Sequence, residues 1–506
     1  MVESNSLGDL PLAKTRLRRL GCLELYQSAL HNVRHYCGTT VTCRYLLPPS
    51  LQSFDMQKEV VRIFKNAIAQ TILQFPMLQV GLVGESTRKP FWVSLPTIDL
   101  ADHIQWHILA DSTGYDEQYN ADLLYQLDAK FEHLETRPGW RLLLMRTEAD
   151  GFVDVMFVWN HANCDGMSGK TFHLSLLQSL HQPTNWGSFL PGSRVISTAL
   201  TAQDLPVPQE KLAKHPITLG FAFSQVWHTF GPSLLSSKSA KATWAPLQLG
   251  PYATQATSFN IQNAALGRIL AACRQHDTTL TGLLHGIILA CLACDVPQDK
   301  ARTFTASTAI DQRRFMYPRK GDEADARRSV QNCVSTIHHT FGYDLVADIR
   351  AKARTNNWEA QPVRDLEKDI WSASRIARGD IEERLNAGLK NNIVGLMKLV
   401  HDWQEYHGDQ AKRDRELSWI VTNLGVIDGE SGEGTEGNER WSINQAKFAL
   451  SAHVAGPFVQ VSALSVKGHD LSVTLSWQES VESNEICARM AQGVEAWLGF
   501  LGQCDM

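Results

Sequence analysis

The segment best equipped for chemistry is His161-Ala-Asn-Cys-Asp165-Gly166. An imidazole gains and loses its proton near neutral pH, so a histidine held in a defined place can serve as a general base. A carboxylate four residues later gives Asp165 a fixed place beside the ring, and Gly166 allows a tight turn into a helix. The same residues could do no more than satisfy a strand-to-helix turn. Their position favours chemistry, because a strand terminus at a domain interface is where α/β folds place reactive groups. Cys164, beside the histidine, fits a small buried turn residue better than a thiolate nucleophile. Other signatures fail. Gly432-Glu-Gly-Thr-Glu-Gly437 has the glycine spacing of a dinucleotide fingerprint, but Glu430, Glu433, Glu436 and Glu439 would repel a pyrophosphate. No helix pattern follows, so it reads as an acidic surface loop. There is no P-loop, HExxH or GxSxG.

The elements that must position His161 follow from hydrophobic periodicity. Phe152 to His161, FVDVMFVWNH, is apolar on both sides, as expected for a strand in a sheet covered on both faces. A helix follows over about Ser168 to His181. Asp55 to Phe75 reads as an amphipathic helix with Asp55 as N-cap and Pro76 as its stop, and Thr40–Leu47 and Trp140–Arg146 as strands. Pro183 to Pro251 is rich in Pro, Gly and Ser and reads as a linker with one short apolar helix near 217–230. The pattern then restarts: a strand (256–261), a helix (263–276), a Thr-capped buried helix, strands at 302–310 and 418–426, a hairpin (459–466 with 471–477) and a closing helix (484–501). The expected class is α/β (α+β), with an N-terminal subdomain over 1–190, a linker over 191–250 and a C-terminal subdomain over 251–506.

The segment Arg137 to Phe172, RPGWRLLLMRTEADGFVDVMFVWNHANCDGMSGKTF, resembles the core of the CoA-dependent acyltransferase superfamily. That group includes chloramphenicol acetyltransferase, the BAHD acyltransferases and peptide-synthetase condensation domains. The closer resemblance is to the alcohol O-acetyltransferase family known mainly from fungi. Further matches run in order along the chain: Arg19-Leu-Gly-Cys-Leu-Glu24 with Tyr26, His31 and Arg44-Tyr45, then Thr278-Thr-Leu-Thr281, Ala309 to Phe315, and Val421-Thr-Asn-Leu-Gly425. The blocks from Phe448 to Ser462 and from Lys467 to Trp477 complete them. Asn160 stands where a second histidine is often found, Cys164 where a small apolar residue is common, and Thr422 replaces a serine.

The resemblance implies two chloramphenicol-acetyltransferase-like subdomains, each a mixed sheet with flanking helices, and a tunnel at their interface. It implies transfer of an acetyl or other acyl group from acetyl-CoA to a hydroxyl, with His161 as base and Asn423 or Thr422 near the oxyanion. Asp165 would pair with Arg313 or Arg314 across the subdomains, while Gly166 completes the motif. His31 and His35 are candidates for the acceptor pocket, and Lys170 for a CoA phosphate. A same-fold enzyme using a carrier-protein thioester or an amine acceptor, or a silent binding protein, are the alternatives. Small volatile alcohols and bulky secondary-metabolite hydroxyls are both compatible acceptors.

Composition bounds the partners. The 506 residues carry 48 Lys plus Arg against 53 Asp plus Glu, which argues against general nucleic-acid binding. Ten cysteines are too sparse for a disulfide scaffold, and Cys291-Leu-Ala-Cys294 lies in an apolar helix without a second pair to complete a zinc site. The first residues show no basic start followed by an apolar run, and the stretch 280–296 is too short and polar to span a bilayer. The closing helix, with Ile486, Met490, Val494, Trp497 and Leu501, is expected to pack on the sheet rather than touch a membrane. A cytoplasmic monomer with no metal and no permanently bound cofactor is the expectation.

Overall fold

The computed structural model describes residues 15–182, 189, 194–230, 241–316, 328–355, 359–430 and 440–503. The acidic glycine loop at 432–437 lies outside them. Eleven strands build two mixed sheets. They are β1 (Gly38–Leu46), β2 (Ile104–Leu109), β3 (Trp140–Thr147), β4 (Phe152–Asn160), β5 (Thr254–Ile261), β6 (Phe304–Asp311), β7 (Val334–Phe341), β8 (Trp419–Ile427), β9 (Ser442–Leu450), β10 (Val459–Val466) and β11 (Leu471–Gln478). The first sheet runs β9-β1-β4-β3-β2, the second β5-β11-β10-β8-β6-β7. Within the first, β2 and β3 are parallel; within the second, β8 is parallel to both β6 and β10.

Strand β4 is central in its sheet, which accounts for its apolar residues on both sides. Val153, Val155, Phe157 and Trp159 are buried, and so are Met156 and Val158 between them. In register, Gly38 faces Asn160 and Val41 faces Phe157. Helix α1 (Gln57–Gln74) and helix α2 (Gly166–His181) pack together, and Phe172 of α2 stacks on Phe157 with centroids 4.0 Å apart. Such a pair adds about 0.5–1.5 kcal/mol beyond its buried area. In the second half, α3 (Leu280–Asp295) lies buried and α4 (Val481–Gln503) packs on it through residues that include Val494, Trp497 and Leu501. Cys291 is buried and Cys294 half-buried within α3, and both are free thiols.

Three local expectations change. Asp55 is not the cap of α1: it sits in a preceding 3-10 turn, and Met56 occupies the cap position with no side-chain hydrogen bond. The described residues of the segment 191–250 are not detached from the two halves. Val195–Ser197 pairs with Thr97–Asp99, Pro206 O accepts from Arg18, and Gln209 reaches Val334 O in the second half. The chain also does not divide cleanly after it. Strand β9, from the second half in sequence, pairs antiparallel with β1 along the edge of the first sheet, Phe448 facing Val41, and also packs against β10 and β11.

Candidate active site

His161 is the first residue beyond β4, and asparagines shape the turn that follows. Asn160 Oδ1 accepts from Ala162 N at 2.9 Å, and Asn163 N donates to Asn160 O at 2.9 Å. Asn160, the departure from a paired histidine, therefore builds the turn. Trp159 Nε1 donates to Cys164 O at 3.0 Å and closes the other side. Cys164 is fully buried, and burial pushes its thiol well above the ordinary value, which removes it as a thiolate nucleophile. Gly166 begins α2 with an ordinary negative φ, so the turn itself does not demand glycine. A Cβ there would stand 2.8 Å from Leu424 Cδ2 and 3.1 Å from Phe448 Cζ. Glycine leaves the space that these side chains of the second half occupy.

Asp165 caps α2 and binds the other half. Its Oδ1 accepts from Ser168 N and Ser168 Oγ, each at 2.9 Å. Arg313 clamps both oxygens, Nη1 to Oδ2 at 2.8 Å and Nη2 to Oδ1 at 3.0 Å, and Cys333 N donates to Oδ2 at 2.8 Å. Asp165 is 2% exposed and Arg313 1%. Burial would raise the carboxyl pKa, but Arg313 and the N–H donors of Cys333 and Ser168 override it and hold the pKa below the usual range. Arg313 also donates to Asp311 Oδ1 at 2.9 Å and Gln331 O at 2.7 Å. Of the two arginines the sequence offered, Arg313 is the partner; Arg314, one residue on, is exposed.

His161 is held by a residue that sequence reasoning missed. Asn332 Nδ2 lies 2.7 Å from the His161 carbonyl oxygen, to which it donates, and 3.1 Å from Nδ1. Asn332 thus fixes the ring from the second half, while its neighbours Gln331 and Cys333 engage Ser168 and Asp165. His161 is half-buried as a residue, and burial lowers its pKa below 6.5 against the opposing pull of Asp165. It is therefore neutral at neutral pH.

The remaining sequence candidates separate. His31 leaves the site: it is buried, Nδ1 lies 2.7 Å from Glu85 Oε1, and Nε2 accepts from Phe131 N at 3.1 Å. His35 is half-buried with Nδ1 unpartnered among the described residues. The Thr422 hydroxyl is engaged with Ser462 Oγ at 2.9 Å inside the second sheet. Asn423 Nδ2 donates to Thr281 Oγ1 at 3.2 Å, and its Oδ1 accepts from Gly425 N, shaping a bulge where Gly425 takes φ +76°. Lys170 is not a free surface lysine: Nζ donates to Leu424 O at 3.4 Å, tying α2 to the end of β8. A cavity of about 950 Å³ lined by Arg302, Arg350, Arg354 and Arg489 opens at the C-terminal end of α3. Thr281 meets Asn423 at the opposite end of that helix, and at 1.5 Å per residue the two ends stand on the order of 20 Å apart.

Two sheets meeting at a His-bearing strand end also describe known enzymes. The fold matches TRI3 trichothecene 15-O-acetyltransferase from Fusarium sporotrichioides with a TM-score of 0.70 at 13% identity, over 98% of this chain and 100% of that one. It matches the first condensation domain of the calcium-dependent antibiotic synthetase with a TM-score of 0.58 at 10% identity, over 96% of each chain. The fold class is thus the one shared by acetyltransferases and condensation domains. Sequence comparison then names the group: the family model described as alcohol acetyltransferase matches residues 91–491, and the chain belongs to that family. Probable alcohol acetyltransferase FCK4 of Fusarium pseudograminearum is 25% identical over 503 residues, 96% of this chain and 95% of that one. Probable alcohol acetyltransferase crmB of Aspergillus fumigatus is 23% identical over 491 residues, 94% and 97% of the two chains. The protein is an acyltransferase, and what it acylates is an alcohol.

Proposed function

We propose that this enzyme moves an acetyl group from acetyl-CoA to a hydroxyl of a small-molecule or secondary-metabolite alcohol, with His161 as general base. The observation that carries this reading is the division of labour in the turn. Asp165 has both oxygens committed to Arg313, Ser168 and Cys333, whereas His161 is a half-buried neutral imidazole.

The role as base needs the tautomer in which Nδ1 carries the proton toward the backbone carbonyls of His161 and Cys164, so that the Nε2 lone pair is left for the acceptor, while the Asn332 amide holds the His161 carbonyl oxygen. The acceptor hydroxyl gives its proton to Nε2 as its oxygen attacks the thioester carbonyl carbon. The tetrahedral oxyanion takes a hydrogen bond from Asn423, the proposed donor at the bulge of β8. Collapse breaks the carbon–sulfur bond, and the departing thiolate takes the proton back from the imidazolium. The products are an acetate ester and free CoA thiol, with no acyl-enzyme. The cytoplasm, reducing enough to keep the cysteines free, is the proposed compartment.

The test is thiol release and ester formation on incubation with acetyl-CoA and a panel of alcohols, for the wild type and His161→Ala. A positioned base contributes about 10²–10⁴ in rate, so the variant is expected to fall by that factor while melting as the wild type does. Activity within a few-fold of wild type in His161→Ala would remove His161 from the chemistry. Transfer only from a carrier-protein thioester would remove acetyl-CoA as donor.

A further inference from the structure

Two imidazoles near the site, His35 and His453, have no task in the proposed chemistry, and His453 is the one whose ring shares Tyr36 with His161. His453 stands on the loop at 451–456, which leaves the crossing strand β9, and its neighbours there are tied down. Ser451 N donates to Gly38 O at 3.0 Å, and Ser451 Oγ accepts from Cys37 N at 3.0 Å. Ala452 N donates to Thr254 Oγ1 at 2.9 Å, and Ala452 O accepts from Tyr252 Oη at 2.7 Å. Val454 N donates to His35 O at 3.0 Å, and Gly456 O accepts from Arg415 Nη1 at 2.7 Å. Inside this frame the half-buried His453 side chain has no hydrogen-bond partner among the described residues, and Nδ1 is buried bare. Gly456 makes room for the ring: a Cβ there would stand 2.4 Å from His453 Cγ and 2.5 Å from Nδ1. A buried polar group without a partner is costly, and a rigid loop shaped around one needs a reason.

Its surroundings supply that reason. The Tyr36 ring packs against both imidazoles, with centroids 5.7 Å from His161 and 5.8 Å from His453. The two histidines therefore stand no farther apart than those spacings end to end, with one aromatic ring against both. Tyr36 Oη pairs with Thr39 Oγ1 at 2.6 Å and His407 Nε2 with Tyr26 O at 3.1 Å, while the neighbouring His35 keeps its own Nδ1 without a partner among the described residues. Burial, followed by the nearby His407, His35, Arg415 and His161, pushes the His453 pKa down to about 3. The ring is thus held in its neutral form, with one nitrogen to donate to and one to accept from a hydroxyl or carbonyl.

We infer that His453 binds the acceptor, hydrogen-bonding a second oxygen set apart from the hydroxyl that is acylated, so that the acceptor is a polyoxygenated alcohol rather than a plain alkanol. This rests on the reading of His161 as base. His453 positions the acceptor and takes no proton in the reaction.

The test compares two acceptors of one carbon framework, cyclohexanol and trans-cyclohexane-1,2-diol, with acetyl-CoA as donor. The ratio of their kcat/KM values is read on a single enzyme preparation, so the fraction of folded protein cancels. The wild type should favour the diol by at least tenfold, about the value of one hydrogen bond in a desolvated site. His453→Phe should bring the ratio near one, chiefly by raising KM for the diol. His453→Gln, which keeps a donor and an acceptor, should restore part of it. A wild-type ratio near one, or a His453→Phe ratio equal to the wild-type value, overturns the assignment. Transfer to neither acceptor by the wild type, or undiminished transfer by His161→Ala, is a failure of the underlying reading, and the two kinds of failure are distinct.

Discussion

Replacing Asp165 tests what holds the site together. In Asp165→Ala the Arg313 guanidinium, 1% exposed, loses the carboxylate that both of its terminal nitrogens address. Asp311 stays beside Nη1 at 2.9 Å, but removing one partner of a buried ion pair costs up to about 3–5 kcal/mol. The vacated cap of α2 costs about 1 kcal/mol, and the stranded Cys333 N–H about 1–3 kcal/mol. These penalties share one side chain and do not add. A loss of about 5 kcal/mol is expected, at least a third of the ~5–15 kcal/mol by which native proteins are stable. Asp165→Asn keeps the shape and one accepting oxygen for Ser168 N but turns an amide on Arg313 or Cys333 N–H, so it should lose about 3 kcal/mol. Pairing it with Arg313→Gln removes the orphaned charge, and the double variant should be less destabilised than the two singles together by about 2 kcal/mol. The assay is denaturant unfolding of all four proteins beside acetyl-transfer rates on the folded fraction. The carboxyl titrates below its unfolded value of 3.8. Its stabilisation is therefore complete above that pH and disappears as pH falls through the folded value, and Asp165→Asn should flatten this acid loss. If Asp165→Ala unfolds at the wild-type midpoint yet is as inactive as His161→Ala, the carboxylate is part of the chemistry and the reasoning here fails.

Two further outcomes follow. Because His161 titrates below 6.5, the acid limb of kcat/KM should inflect below that pH; an inflection at or above it would mean that the ring is not the desolvated base described. Gly166→Ala should cost about 1–3 kcal/mol and lower activity, since the added methyl strikes Leu424 and Phe448 of the other half; a neutral melting temperature would show that the contact is soft.

Much of this site could be read in the sequence because it is local. His161, Asp165 and Gly166 sit within one turn, and alternation along β4 together with the periodicity of α2 places that turn at a strand end. What escaped reading was long-range. Asn332 is 171 residues from His161 and belongs to no motif, so only the packing of the two halves reveals it. Arg313 and Arg314 follow the same strand, and which of them turns inward depends on a 3-10 turn that periodicity does not resolve. His31 and His35 looked equivalent, but Glu85 and the Phe131 amide, both distant in sequence, engage one and not the other. The destination of β9 was hidden for the same reason: nothing local over 442–450 says which sheet it joins.

That strand sets the order of events as the chain is made. Domains generally fold as units, the N-terminal one first during synthesis. Here the sheet carrying His161 has its edge at β1, and that edge stays unpaired until residues 442–450 have been synthesised and have crossed over. An open edge is a template for pairing with another chain, so the unfinished first half is an aggregation hazard for most of translation. The first half made alone would have the imidazole but neither a finished sheet nor the Asn332 clamp, so halves of this enzyme can regain function only when they fold in each other's presence.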